Sequence, residues 1–227
     1  MTTMQTLTMT AFMALVFNVS GAEPNKPSAA AKIPALPVFQ AKNLGAPKMR
    51  VNGGIRGQNQ TGTELLVLAP EQMGLTAQSQ PVLYWYVSQP VKQPVEMTVT
   101  DKRTVLLKAT LDGVSQAGIQ TLNLADHDVR LKPDSKYKWS IAIVNDPKQR
   151  SADSFASAGI MWVSETGLPN KLAGADDQER IRVYAEAGLW YDALAAAQSL
   201  AEKNPGDTLS VAIRTSLLQQ VGLSALH

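Results

Sequence analysis

The sequence predicts a mainly β fold with helices at its end: an antiparallel β-sandwich over residues 50–166, then a helical hairpin or three-helix cap over 170–223. Three observations carry this. From residue 63 to 166 the apolar residues come in short runs separated by Pro, Gly and Asp turns, a spacing that suits a sandwich better than alternating strands and helices. Within several runs apolar and polar residues alternate, as on a half-buried strand. After Gly167-Leu168-Pro169 the apolar period lengthens to that of a helix.

Composition narrows the chemistry. The 227 residues, 44% of them hydrophobic, suffice for one ordinary domain or two small ones. With no cysteine and two histidines, the chain cannot build a disulfide framework, a cysteine-ligated zinc or iron–sulfur site, or a multi-histidine metal centre. No cofactor or metal is expected. A net charge of +2 gives little reason to expect nucleic acid as a partner.

Residues 1–22 contain no charged side chain, and residues 11–19 form a short apolar run followed by Ser20-Gly21-Ala22 and then Glu23. Small residues after an apolar run are what a signal peptidase admits, so the segment reads as an export signal cleaved between Ala22 and Glu23. The run is too short to span a bilayer comfortably. A retained anchor or a plain tail is the alternative. Residues 23–49 hold five prolines, which lack an amide donor and resist helix; they read as a spacer.

Strands are expected near 64–68, 82–87, 95–100, 104–110, 119–124, 137–144 and 159–163. In the sixth, Tyr137, Trp139, Ile141 and Ile143 share a face opposite Lys136, Lys138 and Ser140, giving a dry side and a wet one. Trp85 and Trp139 are expected in the core, each worth a few kcal/mol by burial (about 2–3). The stretch Leu131-Lys132-Pro133-Asp134-Ser135-Lys136-Tyr137 resembles the tyrosine corner of fibronectin type III and immunoglobulin-like domains, which implies a sandwich of that type. Helices are expected over 176–187, 189–203 and 207–221, the last capped by Asp207. Tyr184, Gly188, Ala193 and Pro205 fall at the spacing of a tetratricopeptide unit, although Asp177, Arg180 and Ile181 depart from its first helix. One such unit cannot bury its apolar faces alone, so it must dock, most simply on the sandwich.

A run of ordered signatures is similar to the bacterial domain-of-unknown-function family numbered 928. It begins with Arg50-Val51-Asn52-Gly53-Gly54-Ile55-Arg56-Gly57 and continues through Gln80-Pro81-Val82-Leu83-Tyr84-Trp85-Tyr86, Asp146-Pro147-Lys148-Gln149-Arg150-Ser151-Ala152-Asp153 and Ala187-Gly188-Leu189-Trp190-Tyr191-Asp192-Ala193. The resemblance implies an exported protein and transfers no catalytic residues.

Candidate sites are few. The glycine-rich stretch around Arg56 lacks the Lys-Ser or Lys-Thr and following helix of a phosphate loop; it reads as an irregular loop. Asp126-His127-Asp128 reads as a solvated turn, and Asp101-Lys102-Arg103 as a hairpin turn. Asp146, Arg150 and Asp153 form a polar stretch that is either a small binding patch or a loop tied by Arg150 to Asp153. Trp190 and Tyr191 either dock a partner or pack the helices on the sandwich. The binding candidates are thus Arg56, Asp146, Arg150, Asp153 and Trp190, with no catalytic set. The expected function is a non-enzymatic binding or accessory module of the cell envelope, most simply periplasmic. Its partner would be another envelope or membrane protein. The alternatives are an envelope hydrolase working through carboxylates such as Asp101, Asp146 or Asp153, and a sensory or secretion-linked partner of a membrane protein.

Overall fold

The computed structural model describes residues 35–44, 48–52 and 62–224. The export segment 1–22, its cleavage point Ala22/Glu23, the first part of the spacer and the glycine-rich stretch with Arg56 lie outside the described residues.

Among the described residues eight strands form two sheets. The smaller sheet has the order β1-β3-β6, from Leu65–Val67 (β1), Val82–Val87 (β3) and Gly118–Asn123 (β6), all antiparallel. The larger has the order β2-β8-β7-β4-β5, from Gly74–Thr76 (β2), Ser154–Trp162 (β8), Lys136–Ile143 (β7), Val95–Thr100 (β4) and Val105–Leu111 (β5). One buried apolar cluster is shared by both sheets and the helices.

Two expectations about the sheets need correction. The larger sheet is mixed, because β2 pairs in parallel with β8. Residues 74–76 fall between the strands expected near 64–68 and 82–87; three residues are too few to display a period. β8 also starts five residues earlier than the expected 159. Its first half, Ser154, Phe155, Ala156, Ser157 and Ala158, is poor in β-branched residues. Those small residues are nonetheless required: Ala158 lies opposite Trp139 and Ala156 opposite Ile141, so the absent bulk is the space the large side chains of β7 fill. The alternation read for β7 holds, with Tyr137, Trp139, Ile141 and Ile143 buried and Lys136 and Lys138 exposed. Trp85 is buried as expected.

The Asp126-His127-Asp128 turn belongs to a single 3₁₀ turn, Leu124–His127, capped by Asn123, whose side-chain oxygen accepts the Ala125 N–H. At the corner before β7, the Tyr137 hydroxyl accepts the Lys132 N–H at 3.0 Å.

Four α-helices follow among the described residues: Leu168–Leu172 (α1), Asp177–Glu186 (α2), Trp190–Lys203 (α3) and Thr208–Gln220 (α4). The first, with Pro169 in its opening turn, precedes the helix expected from 176. Asp176 caps α2 by accepting the Glu179 N–H, and Asp207 caps α4 by accepting the N–H groups of Leu209 and Ser210. Each satisfies donors that the first turn leaves unpaired.

The start of α3 fastens the helices to the sheets. Trp190 Nε1 donates to the Leu68 carbonyl at 2.9 Å. Tyr191 Oη accepts from Trp139 Nε1 and donates to the Gly159 carbonyl, both at 2.9 Å. Gly74 permits the approach: a Cβ there would stand 2.6 Å from the Tyr191 ring. Asp192, one residue on, accepts the Ala77 N–H at the end of β2. Burial pushes its carboxyl up to about 6, against the pull of its hydrogen bonds.

The end of the proline-rich stretch is not a free spacer. Residues 35–44 lie along the helices: Gln40 N–H donates to the Ala185 carbonyl, Phe39 N–H to the Gln220 side chain, and Gln220 back to the Pro37 carbonyl. The Phe39 ring meets Trp190 edge-on, 5.0 Å between centroids. Gly188, at φ +72°, ends α2, and a Cβ there would come within 2.7 Å of the Gln40 carbonyl oxygen.

Candidate functional site

The outer face of the larger sheet, away from the core, carries a recess of about 690 Å³. Alternation along the strands determines its floor. Phe155, Ala142 and Glu96 come from one cross-strand row, which Thr110 continues beyond the recess; Ser140 and Thr98 come from the next, between the buried Ser157 and, on β5, Lys108, both outside the lining. Val51, bridged to Ser157 by two backbone hydrogen bonds of 2.8 Å, forms part of one wall.

At one end the β7–β8 loop turns inward. Arg150 donates to both oxygens of Glu96, at 3.1 and 2.8 Å, and through Nε to Asp153 at 2.6 Å. The bidentate fork matches guanidinium geometry. The Arg150 hydrogen bond holds the Glu96 carboxyl below its ordinary range, and the two carboxylates raise Arg150. Asp153 also accepts the Asn145 N–H through its other oxygen. Toward the other end, the Lys138 ammonium stands 5.4 Å above the Phe155 ring centre. Between them the Thr98 and Ser140 hydroxyls are hydrogen-bonded at 2.6 Å.

The structure therefore brings Arg150 and Asp153 together, as the loop reading expects, and adds Glu96 from a neighbouring strand. Spacing along the chain gives no sign of Glu96; only the β4–β7 register places it there. Asp146 faces its own loop, accepting the Lys148 N–H at 2.8 Å. Trp190 is fully buried and hydrogen-bonded to the chain's own backbone, so packing explains it and no exposed surface remains for a partner.

The three carboxylates considered for hydrolysis do not converge. Asp101 sits in the β4–β5 turn, accepting the N–H groups of Arg103 and Thr104, and these bonds hold its carboxyl below the ordinary range. It lies at the far end of β4 from Glu96, about 16 Å by strand rise. Among the described residues no three histidine, aspartate or glutamate side chains gather as a metal site. No helix among them is long and apolar enough to cross a membrane.

A second recess, about 290 Å³, lies beside α2 and α3 and includes Gln78, Arg180, Tyr184 and Asp192. The Tyr184 hydroxyl is pushed up in pKa, chiefly by burial.

No curated protein matches the sequence. A family model does match, over residues 51–227, and its description is Domain of Unknown Function (DUF928). That span covers most of the chain, including both sheets, all four helices and the recess with its Glu96–Arg150–Asp153 cluster. The chain belongs to the DUF928 family.

Proposed function

We propose that the protein is an exported, non-enzymatic binding module of the cell envelope, engaging its partner through the recess on the outer face of the larger sheet. The observation that carries this reading is the recess itself. It combines an apolar shelf (Phe155, Ala142), hydroxyls and a fixed ion-pair cluster on a rigid sheet, while the nearby carboxylates are held on Arg150. Catalysis by paired carboxylates calls for two such groups facing a common substrate. Here Glu96 and Asp153 face one guanidinium.

Finer assignments belong to the same proposal. The sheets are read as a fibronectin-like sandwich, supported by the Tyr137–Lys132 hydrogen bond at the corner before β7. The helical segment 170–223 is read as a tetratricopeptide-like unit docked on that sandwich, supported by Gly188 between α2 and α3 and by the burial of Trp190 and Tyr191. Export rests on the uncharged apolar run ending in small residues before Glu23.

A pull-down from envelope fractions tests the binding reading, with the full chain compared with a Ser140→Arg variant that fills the recess. The expected result is a partner recovered by the parent and lost in the variant. Equal recovery by both places the contact elsewhere. Turnover of a cell-wall substrate with no partner recovered favours the hydrolase. N-terminal sequencing of the envelope form tests export, with Glu23 expected first; an intact Met1 in cytosolic extract defeats it.

A further inference from the structure

We propose that the recess takes an acidic carbohydrate chain, a class of ligand that deepens, and rests on, the binding reading above. Its floor is the reason. The residues beneath it lie on β4, β7 and β8; β4 and β7 are laddered on both sides, while β8 is laddered along β7 and on its other side meets β2 at residues 160–162 and Val51 at Ser157. An extended peptide lying over β4 and β7 would find no free backbone row to pair with. A bilayer surface is flat and does not reach the floor of a recess. A sugar needs neither a backbone row nor a plane. It needs a small apolar shelf for a ring face, hydroxyls for its hydroxyls, and cations where it carries carboxylates.

Each of these is in place. Phe155 and Ala142, adjacent across β8 and β7, form the shelf. In the Thr98–Ser140 pair one O–H is used between the two oxygens, so the other stays free to donate and both oxygens keep lone pairs. Lys138 lines the recess, and Lys136 on the same outer face of β7 and Lys108 across from Thr98 on β5 flank it. Among the described residues none of these three lysines has a carboxylate within ion-pair distance. Within the lining Glu96 and Asp153 balance Arg150 and Lys138, and the flanking Lys136 and Lys108 tip the face positive. Lys138, whose ammonium stands over the Phe155 ring, is placed to meet a carboxylate of a sugar ring resting on the shelf beside it.

The test is titration of the full chain with oligogalacturonate by calorimetry at low salt, against a neutral malto-oligosaccharide, an oligoglutamate peptide and anionic phospholipid vesicles. The expected result is binding of oligogalacturonate alone, weakened by added salt. Lys138→Glu should weaken it at least tenfold and Phe155→Ala several-fold, each with an unchanged urea midpoint showing that the fold persists. Equal binding of the neutral sugar overturns the role of charge. Equal binding of oligoglutamate, or binding indifferent to Phe155→Ala, overturns the sugar. Failure to bind oligogalacturonate overturns the proposal outright. A photo-crosslinker at Ser140 in envelope fractions separates the two levels. A captured protein without sugar binding leaves the recess as a binding surface and ends the carbohydrate assignment; no capture and no sugar binding ends both.

Discussion

Replacing Tyr191 with phenylalanine removes one oxygen and keeps the ring. That oxygen joins α3 to two places on the larger sheet at once, accepting from the indole of Trp139 and donating to the Gly159 carbonyl. Trp139 is fully buried and Tyr191 1% exposed, so water cannot replace the lost partner. Leaving a buried donor unpaired costs about 1–3 kcal/mol, and the carbonyl loses a bond as well. The expected destabilisation of Tyr191→Phe is therefore about 2–3 kcal/mol. For a folded unit of this size that lowers Tm by about 4–12 °C. Urea unfolding followed by far-UV circular dichroism should show a lower midpoint at unchanged slope. A Trp139→Phe variant and the double variant complete a cycle; the coupling between the two positions should exceed about 1 kcal/mol, because the second substitution no longer strands a donor. A loss below about 0.5 kcal/mol together with zero coupling would refute the claim that this hydroxyl clamps helix to sheet.

Other expectations follow from the same packing. Asp192 binds its proton more tightly folded, at about 6, than unfolded, at about 3.9. Its contribution is therefore fully present below pH 4 and is lost as pH rises through 6, about 3 kcal/mol at most. Asp192→Asn should flatten that slope, read as urea midpoints at pH 4.5 and 7.5. Gly188→Ala must place a Cβ against the Gln40 carbonyl at positive φ; limited proteolysis should then cut within residues 35–44 far faster than in the parent. Tyr137→Phe removes the acceptor of the Lys132 N–H and should cost about 1–2 kcal/mol in urea unfolding. Arg150→Ala, by contrast, should change stability by no more than about 1 kcal/mol, since Arg150 is 47% exposed and water screens its ion pairs.

Where side-chain period coincides with burial, the fold is legible in the sequence. β3, β4 and β7 are found within a residue of their expected bounds, and Asp207 caps α4 where a short polar residue before an apolar run should. Legibility fails where a segment's structure is imposed by its neighbours. β2 is a strand because β8 offers it an edge. The first half of β8 is a strand because Trp139 and Ile141 need small residues opposite them. Residues 35–44 look like a spacer by composition, yet Gln220, remote in sequence, holds two of their backbone groups. The recess divides the same way. Arg150 and Asp153 are three apart and were visible as a pair; Glu96, Phe155 and the Thr98–Ser140 hydroxyls assemble only through strand register.

The clasp between residues 37–39 and Gln220 has a mechanical consequence. It joins positions 181 and 183 residues apart in the chain, so a tension applied at residue 36 and at residue 222 would run through a few hydrogen bonds and one ring contact, bypassing both sheets. Pulled at those points, the molecule should open first by peeling the leading segment from α4, and the recess on the larger sheet would keep its shape while that happened.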